Sequence, residues 1–257
     1  MWENKNHIFN KLIALRRNFL TFITPEFVWP KSVIIDNVDI KIRGEPSTFG
    51  IKLSLKKGEY EGPERNLLKP YNLIGKTIIE MGGSIGILTA VLGNKVGKKG
   101  KVISIEASKK ISTYSRSWLE KNDNTKVITS FGFPLGKVKG TVDIINFDES
   151  GNILQGHVLY PINPDGQIHN DLVYDIQKIV CIFKIQPTIL VCDIEGSEKI
   201  ILDQKPDFPS TIKLILIELH PALYGESNKL EIINRIIAEE FIMKANEGNI
   251  FLFERSN

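Results

Sequence analysis

A glycine-rich segment directly after a short apolar run constrains the fold of this 257-residue chain more than any other feature. The run Thr77–Met81 is typical of a buried strand, and an apolar helix is predicted from the glycines to about Val96. Glycines between a strand and a helix let a ligand approach the backbone closely, and the helix N-terminus offers free N–H groups there. The segment therefore predicts a ligand-binding turn in an α/β fold.

The spacing of the glycines separates two classes of cofactor. A dinucleotide site requires the pattern G-x-G-x-x-G, whose first glycine would fall on Met81 here. The pattern that remains is acid-x-Gly-x-x-x-Gly, and an acid beside the turn suits a ligand with an ammonium group better than it suits a pyrophosphate. We therefore predict that S-adenosylmethionine binds at Glu80, Gly82, Gly83, Ser84 and Gly86.

Further apolar runs predict the rest of a parallel sheet. They cover residues 101–106, 126–129, 189–193 and 213–218. Runs this apolar are typical of strands covered by helices on both faces, and Ser108 is a predicted cap of the second helix. Two strands around a glycine turn near the C-terminus predict a hairpin over residues 241–253. The predicted fold is therefore a Rossmann-like α/β sheet, mostly parallel, with a C-terminal antiparallel hairpin.

The residues before this sheet predict a small N-terminal extension, residues 1–58. An amphipathic helix over residues 6–23 is predicted to cover an edge of the core or a homodimer seam, with a membrane surface as the alternative. Residues 31–56 predict short strands, two of them joined at Asp36. The main domain, residues 59–257, holds an irregular insertion near 131–167, where we expect substrate contacts.

Composition narrows the class of protein. The net charge of +3 comes from 33 basic and 30 acidic residues, which gives no case for a nucleic-acid partner. No run approaches the roughly 18 apolar residues of a transmembrane segment, and the N-terminus lacks a signal-peptide core. Cys181 and Cys192 both have apolar neighbours, which predicts buried free thiols. We therefore predict a cytoplasmic protein.

Charged residues follow three of the predicted strands. Glu106 ends the second strand, about 20 residues after Gly86, where an acid accepts hydrogen bonds from ribose hydroxyls in nucleotide-binding folds. Asp193 lies at the end of the fourth strand, and Glu218 and His220 lie at the end of the fifth. Because ligands bind at the carboxyl ends of such strands, we expect these three side chains near the cleft.

The strand-end residues offer two kinds of chemistry. His220 or Asp193 is predicted to act as the base that assists methyl transfer. A structural role, held by local hydrogen bonds just before Pro221, is the alternative for His220, and a helix cap is the alternative for Asp193. Asp193, Glu218 and His220 together also offer oxygen and nitrogen ligands for a divalent metal, which stays open. Glu195 and Glu198 are explained by the dipole at the start of the next helix.

Segments around these residues resemble the FkbM family of methyltransferases. The resemblance extends from Tyr60 to His220 and is carried by residues 80–86, 102–106, 193–198 and 217–220. It implies a class I methyltransferase fold, S-adenosylmethionine as cofactor, and O-methylation of a hydroxyl, often on a sugar or secondary metabolite. The sequence departs from the family pattern at Glu80, where Asp is usual, and at Gly83 and Ser84, where Ala and Asn are common.

The predicted function is therefore S-adenosylmethionine-dependent O-methylation of a hydroxyl of a sugar, glycan or other small molecule. The alternative is a protein that keeps the fold, has lost catalysis, and serves as a binding or scaffold protein. Methylation of a nitrogen is a further alternative, but the chain lacks the Asn/Asp-Pro-Pro-Tyr run that often accompanies it. A dehydrogenase is disfavoured by the missing first glycine.

Overall fold

The computed structural model describes residues 24–43, 49–107, 109–121, 127–131, 176–199 and 208–256. These residues form two units, each held by its own internal contacts, and the division falls between Gly62 and Pro63. The predicted helix over 6–23, the cap at Ser108 and the insertion beyond Phe131 lie outside the described residues. The predicted domain boundary after residue 58 stays a prediction.

The first unit contains a hairpin and a helix. Strands β1 (Ser32–Ile35) and β2 (Val38–Lys41) pair antiparallel, after a short 3-10 turn at Glu26–Val28. Asp36 and Asn37 join them with φ values of 47° and 65°, the left-handed pair that suits a two-residue hairpin turn. The predicted hairpin is therefore confirmed.

Helix α1 (Phe49–Lys57) corrects the prediction that strands continue to residue 56. Ile51 and Leu55 are both buried and lie four residues apart, so they share one face of a helix. The helix forms although it contains Gly50, a residue that disfavours helix interiors.

The second unit is a β-sheet with helices, and its first helix starts at Gly62, one residue before the division. Its elements are α2 (Gly62–Leu68), β3 (Thr77–Met81), α3 (Ile87–Val96), β4 (Lys101–Glu106), α4 (Lys109–Lys121), β5 (Val127–Phe131), α5 (Ile176–Phe183), β6 (Ile189–Cys192), β7 (Leu214–Glu218), α6 (Pro221–Tyr224), α7 (Glu226–Ala238), β8 (Phe241–Glu247) and β9 (Ile250–Arg255). Within the described ranges, the strands form one sheet in the order β5-β4-β3-β6-β7-β9-β8. The pairs from β5 to β7 are parallel, whereas β9 runs antiparallel to both β7 and β8. The predicted Rossmann-like fold with its C-terminal hairpin is confirmed.

Alternate residues of the strands bury both faces of this sheet. Ile78 belongs to a core cluster with Leu88 and Leu92 of α3, whereas Ile79 belongs to the cluster on the other face with Ile179 of α5 and Ile236 of α7. Each fully buried side chain of this kind contributes about 1.5–3 kcal/mol. The two covered faces explain why the strands are apolar throughout.

One cysteine departs from the prediction. Cys192 is buried at the end of β6, but Cys181 is exposed. Ile176 and Ile179 form the buried side of α5, and a residue two positions after Ile179 lies on another side of the helix. The prediction of two buried thiols is therefore wrong for Cys181.

None of the helices in the described ranges is both long and apolar enough to cross a membrane.

Candidate active site

The segment between β3 and α3 forms a tight turn at the carboxyl edge of the sheet. Gly82, Ser84 and Gly86 have φ values of 89°, 46° and 86°, all in the left-handed region. The Gly82 N–H donates to the Ile105 carbonyl of β4 at 2.8 Å. On the other side, a Cβ added to Gly82 would lie 1.6 Å from the carbonyl oxygen of Asp193. The turn is therefore fixed between the ends of β4 and β6.

Glu80 lies beneath the turn, with only 2% of its surface exposed. Its Oε2 accepts a hydrogen bond from the Thr89 hydroxyl of α3 at 2.6 Å. Burial raises the pKa of Glu80, and hydrogen bonds from Ser104 and Thr89 oppose that rise. Glu80 thus supports the turn from the core side. Its contact with the ammonium group of the cofactor stays a prediction, and it would have to be made from this buried position.

Gly83 packs against the neighbouring strand. A Cβ at this position would lie 2.0 Å from the Ser104 hydroxyl oxygen and 3.3 Å from Oε2 of Glu80. The Ser104 side chain therefore occupies the volume that a methyl group at residue 83 would need. This packing gives a physical reason for glycine at a position where the FkbM family commonly has alanine.

We expect Gly83→Ala to lower the free energy of unfolding by about 1–3 kcal/mol, as overpacking of a tight site does. Combining it with Ser104→Ala removes the overlapping hydroxyl, so the double variant should lose less than the two single losses added together. Urea unfolding of the three variants and the parent chain measures this coupling. Strictly additive losses would contradict the contact.

Glu106 holds the turn from the other side. It ends β4 and is half-buried, and its Oε2 accepts a hydrogen bond from the backbone N–H of Ser84 at 2.9 Å. The predicted ribose-binding acid and the predicted cofactor turn are therefore neighbours.

His220 is the centre of a carboxylate cluster at the ends of β6 and β7. Its Nδ1 lies 3.1 Å from Oε1 of Glu198. Its Nε2 lies 3.6 Å from Oδ1 of Asp193, 3.4 Å from Oε2 of Glu195 and 3.9 Å from Oε1 of Glu218. The three strand-end residues that the sequence singles out thus lie together, and two more carboxylates join them.

Glu198 organises the loop after β6. Its side chain is fully buried, and its Oε1 accepts hydrogen bonds from the N–H groups of Ile194 at 3.2 Å and Gly196 at 3.1 Å. Glu195, between them, has a left-handed φ of 51°. Attributing Glu195 and Glu198 to the helix dipole alone missed their contacts with His220. No spacing in the sequence marks these contacts, because only the pairing of β6 with β7 brings residues 198 and 220 together.

Tyr224 also holds His220, and sequence reasoning missed it. The backbone N–H of His220 donates to the Tyr224 hydroxyl oxygen at 2.6 Å. Burial, followed by the charge of Glu198, raises the pKa of Tyr224. The hydroxyl therefore stays neutral and fixes the backbone at the end of β7.

The crowded carboxylates shift one another's pKa values. Burial, then the charges of Glu218 and Glu195, raises the pKa of Asp193 well above its usual range. Burial also raises the pKa of Glu218 to about 7, against the opposing charge of His220. Burial lowers the pKa of His220, but the hydrogen bond and charge of Glu198 and the charges of Asp193 and Glu195 outweigh it and raise the pKa to about 9. The cluster therefore favours positive charge at its centre.

One family model matches part of the chain. The model of protein-L-isoaspartate(D-aspartate) O-methyltransferase matches residues 66–136. That segment contains the glycine turn and Glu106 but ends before Asp193, so the match bears on the cofactor half of the site. No curated protein matches the chain.

Several solved structures are similar to this chain at low identity. The methyltransferase FkbM from Methylobacillus flagellatus is 17% identical with a TM-score of 0.44, over 70% of this chain and 43% of that chain. A methyltransferase from Geobacter sulfurreducens is 14% identical with a TM-score of 0.44, over 75% and 77%. A putative rRNA-methylase from Clostridium thermocellum is 14% identical with a TM-score of 0.43, over 76% and 94%. At these identities, none of the three structures shows which substrate or partner this chain has.

The FkbM family itself is not confirmed and stays a prediction. The strand order and the family model agree on the broader class, that of the methyltransferases. The family model covers the turn to which the sequence assigns the cofactor. The predicted enzyme class is therefore confirmed: the chain is an S-adenosylmethionine-dependent methyltransferase, with S-adenosylmethionine as its cofactor.

Proposed function

We propose that the protein transfers the methyl group of S-adenosylmethionine to a hydroxyl of a sugar, glycan or other small molecule. The observation that carries this proposal is the direct packing of the glycine turn on the carboxylate cluster. A Cβ added to Gly82 would lie 1.6 Å from the Asp193 carbonyl oxygen, so the backbone of the turn is in direct contact with the backbone at Asp193. A cofactor held by the turn therefore lies next to Asp193 and His220.

The chemistry of the cluster suits a hydroxyl acceptor. In the transfer, the hydroxyl oxygen bonds to the methyl carbon, the carbon–sulfur bond breaks with its electrons remaining on sulfur, and the hydroxyl proton leaves. We propose that the hydroxyl binds beside Asp193 and His220 and that these side chains assist the loss of its proton. Because the pKa of His220 is raised to about 9, His220 acts as a base only in the molecules whose imidazole ring is neutral. The surrounding carboxylates accept hydrogen bonds from further hydroxyls and repel anions, so neutral polyhydroxyl compounds fit better than phosphorylated ones.

The first test is thermal unfolding with S-adenosylhomocysteine, with NAD as the control ligand. A ligand at about 100 times its Kd adds about 2.7 kcal/mol of stability, and for a chain of this size that raises the Tm by roughly 5–10 °C. We expect this rise with S-adenosylhomocysteine and none with NAD. Glu106→Gln should reduce the rise, because a neutral amide accepts weaker hydrogen bonds from ribose than a carboxylate does.

The second step is a screen of hydroxyl acceptors, with methylation measured by mass spectrometry. Transfer to neutral sugars or other small hydroxyl compounds is the expected result. Absence of any stabilisation by S-adenosylhomocysteine would contradict the cofactor assignment for the turn. Stabilisation without transfer to any acceptor would instead favour the binding or scaffold protein.

A further inference from the structure

We infer that Asp193, Glu195 and His220 form a binding site for a divalent metal ion, with Glu218 beside it. Each of the three offers one ligand atom, and these atoms all lie within 4.8 Å of one another. Ligands at about 2.1 Å from an octahedral ion are about 3.0 Å apart when adjacent and about 4.2 Å apart when opposite. The distances of 3.6 Å and 3.4 Å from His220 Nε2 to Asp193 and Glu195 fall between these values.

The orientation of His220 supports this inference. Its Nδ1 lies 3.1 Å from Oε1 of Glu198, whose carboxylate is buried, so Nδ1 donates and Nε2 faces the other carboxylates. A metal-binding histidine commonly donates its second N–H to a carboxylate in this way, which fixes the tautomer and the ring. Without a proton or a metal ion, the Nε2 lone pair would point at negative oxygens. The space therefore favours positive charge, and a metal ion supplies in this space the charge that a proton on Nε2 otherwise supplies.

A second observation points to a missing partner in the cluster. Oδ1 of Asp193 is a buried oxygen with no hydrogen-bond partner among the described residues, although the Asp193 side chain as a whole is 35% exposed. In the same part of the chain, His220 is the only basic side chain within ion-pair distance of Asp193. An unpaired buried carboxylate oxygen costs free energy, and the Asp193 oxygen faces the Nε2 nitrogen that would share the ion. A bound cation therefore gives the Asp193 oxygen the partner that it lacks.

The ligand set indicates the kind of ion. Carboxylate oxygens suit Mg²⁺, Ca²⁺ and Mn²⁺, whereas imidazole nitrogen suits transition metals, so Mn²⁺ is the natural probe for a mixed set. Three protein ligands leave positions open on the ion. Resting on the proposed function, the acceptor hydroxyl takes one of them, and the ion makes its proton easier to lose. Asp193 and His220 then assist the reaction by holding the ion.

Calorimetric titration of the full chain with Mn²⁺, without cofactor or acceptor, tests the site. We expect one ion per chain. Removal of a carboxylate that orients a metal-binding histidine weakens metal binding roughly 10- to 100-fold, and we expect this loss for Glu198→Gln. Asp193→Asn and Glu195→Gln change the ligands themselves, so each should weaken binding at least as much. The control Glu226→Gln changes a carboxylate on α7 that is 69% exposed and outside the cluster, so binding should not change.

Two results would overturn the inference: no Mn²⁺ binding by the parent chain, or unchanged binding in both Asp193→Asn and Glu195→Gln. Glu195 is 48% exposed, so its substitution leaves the core intact, and circular dichroism verifies the fold of each variant. The titration contains no methyl acceptor. Failure to methylate any hydroxyl would therefore count against the proposed function alone, and failure to bind Mn²⁺ against the metal site alone.

Discussion

Gly82→Ala is expected to lower the free energy of unfolding by about 4 kcal/mol or more, an exceptional loss for one methyl group. The added Cβ would lie 1.6 Å from the carbonyl oxygen of Asp193 and 2.7 Å from its carbonyl carbon. Both are backbone atoms, so no side-chain rotation relieves the overlap. The ends of β3 and β6 would have to separate, although Asp193 N–H donates to Met81 oxygen at 2.9 Å across that boundary.

A matched control separates this overlap from the cost of the backbone conformation. Gly248 in the β8–β9 turn also has a left-handed φ, 61°, but no described atom lies within 4 Å of the position that an added Cβ would take. Gly248→Ala should therefore cost only the left-handed conformation, about 1–2 kcal/mol. Urea unfolding of both variants measures the difference. Equal losses would show that the turn does not press on the end of β6.

The sheet could be predicted from the sequence because its signals are local. Runs such as 101–106 are apolar throughout, which only strands with two covered faces require. The Asp36-Asn37 turn and the Gly248 turn each specify a hairpin through residues that tolerate positive φ. Helix α1 could not be predicted in the same way, because Ile51 and Leu55 carry only a weak helical spacing beside breakers at Gly44, Pro46 and Gly50.

Some residues of the candidate site could likewise be predicted from local sequence signals, and others could not. Asp193, Glu218 and His220 could be predicted because the carboxyl ends of parallel strands meet at one edge. Glu198 and Tyr224 could not, since their contacts with His220 depend on a buried loop and a short helix rather than on strand ends. Burial of Glu80 likewise depends on Thr89 and on packing that the sequence does not display.

The glycine turn shows how a local departure from a family pattern can have a tertiary cause. Gly83 differs from the alanine common in the FkbM family, and the sequence alone gives no reason for this difference. In the structure, Ser104 of the adjacent strand fills the space of the alanine methyl. The two positions are therefore interpretable only as a pair, which single-residue pattern matching does not capture.

The largest effect on activity is expected from His220→Asn, which should lower kcat by about 10²- to 10⁴-fold. Asparagine places an amide near the position of Nδ1, where it can still donate to Glu198, but it has no atom at the position of Nε2. The nitrogen facing Asp193, Glu195 and Glu218 is thus removed with little change to the loop. Because His220 lies outside the glycine turn, stabilisation by S-adenosylhomocysteine should be retained.

Tyr224→Phe is the control that separates the role of the His220 imidazole from the position of the His220 backbone. The Tyr224 hydroxyl accepts a hydrogen bond from the His220 backbone N–H. Tyr224→Phe removes this hydrogen bond but keeps Nε2 of His220, so it should reduce kcat much less than His220→Asn does. Steady-state kinetics on a proven acceptor, with cofactor binding measured in parallel, compares the two variants. Near-normal turnover by His220→Asn would remove His220 from the reaction. Equal losses in both variants would mean that the position of the chain after β7 matters more than the imidazole nitrogen.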